Sequence, residues 1–382
     1  MRIAALMCAL VLATAVHAQE SDTLFDNPAA DSVAPEGPKV DLSPILANPK
    51  PALSGSITMS GVGYAGWSQT PNPADLASNF DKGFGYDLSS SLSFDYKPDP
   101  TFHWSASFST AIPAGNVTWS TPSIGSMYLD YTLADRVFIT LGKFGMSWGA
   151  GRLFGVNDLV ASAADDLSIK AFTPLGPLGF TGVMILPPVA TTLAQLQWAA
   201  QTEGNLGPFT ANLAGWYAAS AAPKFDLWAK TVLWGADVFA ESKVTLAGSV
   251  NPLSNVQVQA LAGVYWEGFE PKLRVQGEWL IDSPALGWSD QSVALAASWS
   301  NIPGTGIKPS ARVTHSFADS SGQLILGLEA DPFLHIHVTL GMPVSWGTAN
   351  SRWVKSTIAT YHEAWALALK IDLSGGFSSD AF

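Results

Sequence analysis

His335 and His337 stand two residues apart beside Leu334, Ile336 and Val338, so an extended strand would carry both imidazoles on one face. Such a pair is half of a zinc site. Glu329 lies across Asp331-Pro332, but no further histidine or carboxylate stands at ligand spacing, so the pair is expected to line an interior and to hold no metal. Thr314-His315-Ser316 brings a hydroxyl next to an imidazole, yet adjacent strand residues point to opposite faces and cannot share a proton. H-E-x-x-H and a phosphate loop are both missing. The single cysteine, Cys8, falls in an N-terminal leader, which excludes disulfides, thiolate metal sites and a cysteine nucleophile from the rest of the chain. No catalytic residue and no cofactor is expected, and an enzyme is the weakest reading.

Other charged residues recur at alternate positions. Asp237, Glu241 and Lys243 share one face of a segment whose other face is Val238, Ala240, Val244 and Leu246. Arg274, Glu278 and Asp282 oppose Leu273, Val275, Trp279 and Ile281; Lys370 and Asp372 oppose Leu369, Ile371 and Leu373. Charges placed this way must face water or one another while the opposite face meets an apolar medium.

Strict period-2 alternation supplies the elements that position them. Phe84, Tyr86, Leu88, Leu92, Phe94 and Tyr96 alternate with Asp87, Ser89, Ser91, Ser93 and Asp95; after Lys97–Pro100, Phe102, Trp104, Ala106, Phe108 and Ile112 alternate with His103, Ser105, Ser107 and Ser109. Twelve residues at about 3.3 Å, tilted about 45°, cover roughly 28 Å, the height of the apolar band of an outer-membrane barrel between its aromatic girdles. Seventeen such segments are legible between Leu53 and Leu373. A chain with both ends in the periplasm needs an even number. Short turns phased from each end collide between Leu178 and Pro208, so one of the segments 180–186 and 193–202 is expected not to be a separate strand. The expectation is an all-β antiparallel transmembrane barrel of about 16 strands, within 14–18, with both termini periplasmic. A channel lined by alternate charges is expected at that strand number, and a lumen plugged by loops remains open beside it.

Composition agrees. The chain is 47% hydrophobic and only 13% charged, and its 15 Trp, 19 Phe and 8 Tyr suit aromatic girdles. No stretch after the leader has 18 uninterrupted apolar residues; Phe180 to Leu196 is broken by Pro187 and Pro188. Arg2, the apolar run Ile3–Val16 and Val16-His17-Ala18 form a signal peptide over 1–18. Residues 19–51, acidic and proline-bearing, read as a flexible periplasmic segment, and 52–382 as the barrel. Cleavage removes one Arg and no acid, leaving 18 basic against 31 acidic residues, a balance of −13 that argues against nucleic acid as a partner. The expected location is the outer membrane of a diderm bacterium, with its lipids and small hydrophilic solutes as partners and self-association left open. The terminal Phe382 resembles the ending recognised by the barrel-assembly machinery.

Gly142, Gly145, Gly149 and Gly151 punctuate Leu141-Gly142-Lys143-Phe144-Gly145-Met146-Ser147-Trp148-Gly149-Ala150-Gly151-Arg152, which leads to Asn157-Asp158-Leu159. This passage resembles the L-G-[RK]-x4-W-G-x-G-R strand-to-loop segment of porins related to alginate-export barrels. The resemblance covers about twenty residues and implies a porin-like barrel. Glycines here let the backbone bend and approach other chain closely. A long loop, about 149–177, follows. Folded inward, it would bring Lys143, Trp148, Arg152, Asp158, Asp165, Asp166 and Lys170 to a constriction; left outside, its glycines would serve only the turn. A porin for passive diffusion of small solutes or ions is the expected function, and a plugged surface adhesin or structural anchor the alternative.

Overall fold

The computed structural model describes residues 52–67, 80–112, 118–154, 159–160, 166–188, 190, 192–246, 256–269, 272–284, 290–300, 302–361 and 363–378. The expected signal peptide, the segment 19–51 and Phe382 lie outside these residues, as do Asp158 and Asp165.

Alternation of apolar and polar residues produces eighteen strands: β1 (Ala52–Trp67), β2 (Phe80–Asp99), β3 (Phe102–Ile112), β4 (Ser123–Leu133), β5 (Val137–Lys143), β6 (Leu167–Leu175), β7 (Leu178–Leu186), β8 (Gln197–Leu206), β9 (Phe209–Ala218), β10 (Ala221–Leu233), β11 (Ala236–Leu246), β12 (Val256–Gly268), β13 (Leu273–Pro284), β14 (Asp290–Trp299), β15 (Ile307–Ser316), β16 (Ser321–Phe333), β17 (Ile336–Trp346) and β18 (Trp365–Ser378). Each pairs antiparallel with its sequence neighbours, and β1 pairs with β18 from Ser54↔Ser378 to Trp67↔Trp365. Closure leaves no sheet edge with unpaired backbone groups, the condition for a β-structure to sit in lipid.

Eighteen strands fall at the upper end of the expected 14–18, two above its central sixteen. All seventeen sequence segments form strands, including both 180–186 and 193–202, and the eighteenth is β6, inside what reads as a long loop. The phase collision is therefore resolved by adding a strand. β6 escaped the period-2 pattern because its alternation inverts half-way: Phe172 shares a face with inward Thr140 through its partner Phe138, while Thr173 pairs with outward Phe180. Pro174 then falls in the strand, where a missing N–H argues against one. The last strand also runs five residues beyond Leu373, where the clean alternation stops, because β1 offers partners as far as Ser54.

Two rims differ. The rim that carries Ala52 and Ser378 is closed by short turns, such as Trp234-Gly235, whose φ values of 52° and 79° suit a tight hairpin. Long connections leave the opposite rim between β5 and β6 and between β17 and β18. Outward aromatics form two bands, with Tyr96, Phe180 and Phe209 near the first rim and Trp198, Tyr217 and Phe225 near the second. Leu367, Leu369, Ile371 and Leu373 are exposed on the outside of β18, whereas Ala366 and Ala368 are buried inside against Tyr64.

The connection 347–364 contains helix α1 (Arg352–Tyr361), which sequence alternation cannot show. Trp353, Val354, Thr357 and Ile358 recur at helical spacing, and Val354 and Thr357 are buried. Thr357 Oγ1 accepts a hydrogen bond from Gln323 Nε2 at 2.8 Å on the inner face of β16, so the helix rests inside the barrel mouth. At its start, Arg352 donates its backbone N–H to Asp319 Oδ2 at 2.8 Å, a cap supplied from the β15–β16 turn. The same carboxylate accepts bonds from the backbone and hydroxyl of Ser321. Burial raises the pKa of Asp319, but bonds from Ser321, Arg352 and Ser316 outweigh it and hold the group at about 2.

Candidate functional site

The connection between β5 and β6 does not stay outside. It leaves the wall at Gly142, whose φ of 134° suits glycine and where a Cβ would lie 2.1 Å from the Met127 carbonyl oxygen. From there residues 144–154 cross the interior to the far wall. Glu241 Oε2 on β11 accepts the backbone N–H groups of Ala150 at 2.8 Å and Gly151 at 3.1 Å. Glu278 on β13 accepts those of Arg152 at 2.6 Å and Leu153 at 2.9 Å through Oε1, and that of Phe154 at 2.8 Å through Oε2. Five consecutive N–H groups are thus held by two wall carboxylates.

Further bonds fix the path. Trp228 Nε1 on β10 donates to the Trp148 carbonyl at 2.9 Å, and Arg312 Nη2 on β15 donates to the Leu153 carbonyl at 2.7 Å. Glu241 and Glu278 are 3% and 5% exposed, so the N–H groups replace water that each charge loses. The glycines allow this approach. A Cβ at 151 would stand 2.4 Å from Leu261 Cδ2 and 2.9 Å from the Phe154 carbonyl oxygen; at 149 it would stand 3.0 Å from Glu241 Oε1.

Two apolar clusters flank the anchor. Trp148, Leu159 and Val160 pack on the inner faces of β7, β8 and β9 through Val183, Ile185, Ala199 and Trp216. Leu153 and Phe154 pack on Phe239, Leu261, Leu280 and Ala294, with Trp353 of α1 against the same group. A barrel interior this apolar on one side is filled by chain, since lumen residues otherwise meet water.

The expected constriction residues take different places. Trp148 is buried beneath the loop, and Lys143 Nζ donates to the Ile124 carbonyl on β4 at 2.7 Å. Arg152 lies with its guanidinium carbon 4.2 Å from the centre of the Tyr265 ring, not against an aspartate of its own loop among the described residues. Lys170 belongs to β6, where its ammonium stands 5.5 Å from the Phe144 ring centre. Asp166 lies just before β6, and its backbone carbonyl accepts the Ser168 hydroxyl.

The expected lumen residues also divide. Asp237, Glu241 and Lys243 do share one face of β11, the face of buried Phe239. Asp282 accepts the Gln259 amide at 2.9 Å. Arg274 Nε binds Glu267 Oε2 at 2.6 Å, and Tyr265 and Lys272 donate to the same carboxylate at 2.7 and 2.9 Å. His335 is not on a strand: with φ 69° it sits in the turn between β16 and β17, because the hairpin extends through Asp331-Pro332 to Phe333. His337 alone lines β17, its Nδ1 2.7 Å from Asp331 and its Nε2 3.2 Å from Thr339 Oγ1. Thr314 and Ser316 are buried on the inner face, while His315 sits between the rings of Phe317 and Trp346. No group of metal-binding side chains occurs among the described residues.

No protein-family model and no curated protein sequence matches the chain. Solved structures do. OccAB3 of Acinetobacter baumannii aligns with a TM-score of 0.52 at 9% identity, over 85% of this chain and 99% of its own. Wzi of Escherichia coli, described as a carbohydrate-binding β-barrel involved in group 1 capsule assembly, aligns at 0.55 and 10% over 83% and 84%. OccK8 (OprE) of Pseudomonas aeruginosa aligns at 0.52 and 6% over 86% and 98%. The fold is that of the outer-membrane barrels. The closer likeness of the Leu141–Arg152 passage to alginate-export barrels is not carried by these comparisons.

Sequence reasoning found the glycine passage and both glutamates, but not that the two meet. Trp228, Tyr265, Glu267 and Arg312 carried no signal of their own. Each is a lone polar or aromatic residue at an alternate strand position, and only barrel closure brings them to the loop.

Proposed function

We propose that the protein is an outer-membrane channel for passive diffusion of small hydrophilic solutes, its bore narrowed by the segment 144–154. One observation carries this reading: the loop crosses the lumen and is tied to the wall by Glu241 and Glu278. A loop that served only as an external turn would not need five backbone N–H groups bound to buried carboxylates. The channel-type neighbours OccAB3 and OccK8 support the same reading. In this reading the rim of short turns faces the periplasm, as short turns do in such barrels. Arg152, Lys170, Asp237, Lys243 and Asp282 border the narrowed passage and set its ion preference.

The alternative is a closed barrel that acts at the surface as an adhesin or anchor. The combined filling by the loop and α1 favours it, and so does the likeness to Wzi. Conductance of the refolded, heat-modifiable protein in a planar bilayer separates the two. Steady ohmic current is expected; its absence from correctly folded protein overturns the channel.

A further inference from the structure

The lumen wall away from the anchored loop has a chemistry of its own. The loop's bonds and buried clusters run to β7–β15, whereas β1–β4 turn hydroxyls inward in adjoining rows. Ser56 and Ser93 are joined Oγ to Oγ at 2.7 Å, Ser107 and Ser126 at 2.8 Å, and Ser109 and Ser123 at 3.0 Å. A hydroxyl in such a pair keeps acceptor capacity, and one of each pair can turn its hydrogen to a third oxygen.

The rows are bounded by polar and aromatic side chains. Toward the rim of short turns, His103 lies between Asp95 and Asp130, at 3.3 and 3.2 Å. The Tyr128 ring stands edge-on to His103 and again to Phe144 of the loop, a step between wall and constriction. On the other side Ser60 donates to Asp372, which also faces Lys370 at 3.6 Å. The carboxylates outnumber the lysine, so this wall offers no excess positive charge to a carboxylate solute.

We infer that uncharged polyhydroxyl solutes, polyols and small saccharides, pass along the β1–β4 wall, exchanging hydrogen bonds with its serine rows and packing C–H faces on Tyr128. Small side chains keep this side of the bore wide, and neutral hydroxyls replace the solute's water without binding it tightly. The inference rests on the channel reading above and adds the solute class and the route.

Proteoliposome swelling with a pentitol and with triethylene glycol, nearly equal in mass but unequal in hydroxyl number, tests it. The intact protein is expected to admit the pentitol faster than the polyether and faster than glucuronate. The triple variant Ser56→Ala, Ser93→Ala, Ser109→Ala should lower the pentitol-to-polyether ratio about fivefold, the scale of one net hydrogen bond. A ratio that stays the same in a folded variant overturns the route. Faster glucuronate than pentitol in the intact protein overturns the solute class, whether or not the variant folds. Absence of all three fluxes and of ionic current overturns the channel itself, a result distinct from either.

Discussion

The carboxylate of Glu278 lies beneath the backbone of Arg152, 2.6 Å from its N–H, and so binds the loop that sequence alone would set opposite it across a pore. Its charge is spent on holding chain. Bonds from N–H groups to a charged acceptor contribute about 1.5–3 kcal/mol each. Glu278→Gln keeps the size but turns an NH2 group toward N–H donors. The loop should loosen while the barrel stays folded, seen as higher and noisier single-channel current with unchanged heat-modifiability. Current identical to the parent's would mean that the carboxylate does not hold the loop.

Gly151 makes the same contact from the other side. A methyl group there meets the Phe154 carbonyl oxygen at 2.9 Å and Leu261 at 2.4 Å. Leu261 can turn but the carbonyl cannot, so Gly151→Ala should cost the loop about 1–3 kcal/mol as overpacking does. Faster proteolysis between 144 and 166, with the barrel melting as before, is the expected outcome. Gly145, with nothing within 4 Å of an added Cβ, is the control: Gly145→Ala should change neither.

The outer face of β18 can be tested against the inner wall. Leu369 is exposed and lipid-facing, so Leu369→Arg should cost about 2–4 kcal/mol if it lies near the midplane. Alternation alone makes Ala368→Arg the obvious control on the lumen face. Its burial against Tyr64 makes it a clash instead. Ser91, exposed and inward, is the sound control, and Ser91→Arg should cost far less in urea unfolding from liposomes. Equal losses at 369 and 91 would contradict the assignment of faces.

How much was legible follows from the range of each signal. Alternation is local, so β1–β5 and β7–β18 could be read from side-chain order within each segment. β6 could not, because Phe172 and Thr173 reverse the pattern and Pro174 imitates a loop. The glycines near Trp148 announced a close approach but not to what. Glu241 lies 90 and 91 residues, and Glu278 124 to 126, from the groups they bind, and their positions resemble those of any lumen charge. Only the closure of β1 on β18 sets β5 facing β11 and β13. Helix α1 was missed for the opposite reason: its period is local and plain, but a search at period 2 passes over it.

Asp319 gives a pH dependence of definite sign. Ionised, it accepts the N–H at the start of α1 and the Ser321 hydroxyl; its pKa in the fold is about 2, below that of a free aspartate near 3.9. A depressed carboxylate contributes stability above its unfolded pKa and loses it as the pH falls through the folded one. Docking of α1 should therefore weaken between about pH 4 and pH 2, seen as faster amide exchange over 352–361. Asp319→Ala should raise exchange already at neutral pH and flatten the change below 4. An unaltered acid profile in that variant would assign the transition to other carboxylates.

In the proposed channel, Arg152 is the charge that the loop presents to the passage. Its backbone is held by Glu278, its carbonyl neighbour Leu153 by Arg312, and its guanidinium rests on the Tyr265 ring. The guanidinium is a fixed cation. Close by, Glu267 is already engaged by Tyr265, Lys272 and Arg274, and gains little from a further partner. Removing the Arg152 side chain leaves the anchor intact, because the anchoring bonds are made by backbone. Arg152→Ala should therefore raise cation preference in reversal-potential measurements and increase conductance modestly, most at low salt where screening is weakest. Arg152→Lys should restore much of the parent selectivity, since charge and reach are kept although the planar stacking on Tyr265 is not. Selectivity equal in all three proteins would place Arg152 away from the ion path and leave it a packing residue of the loop.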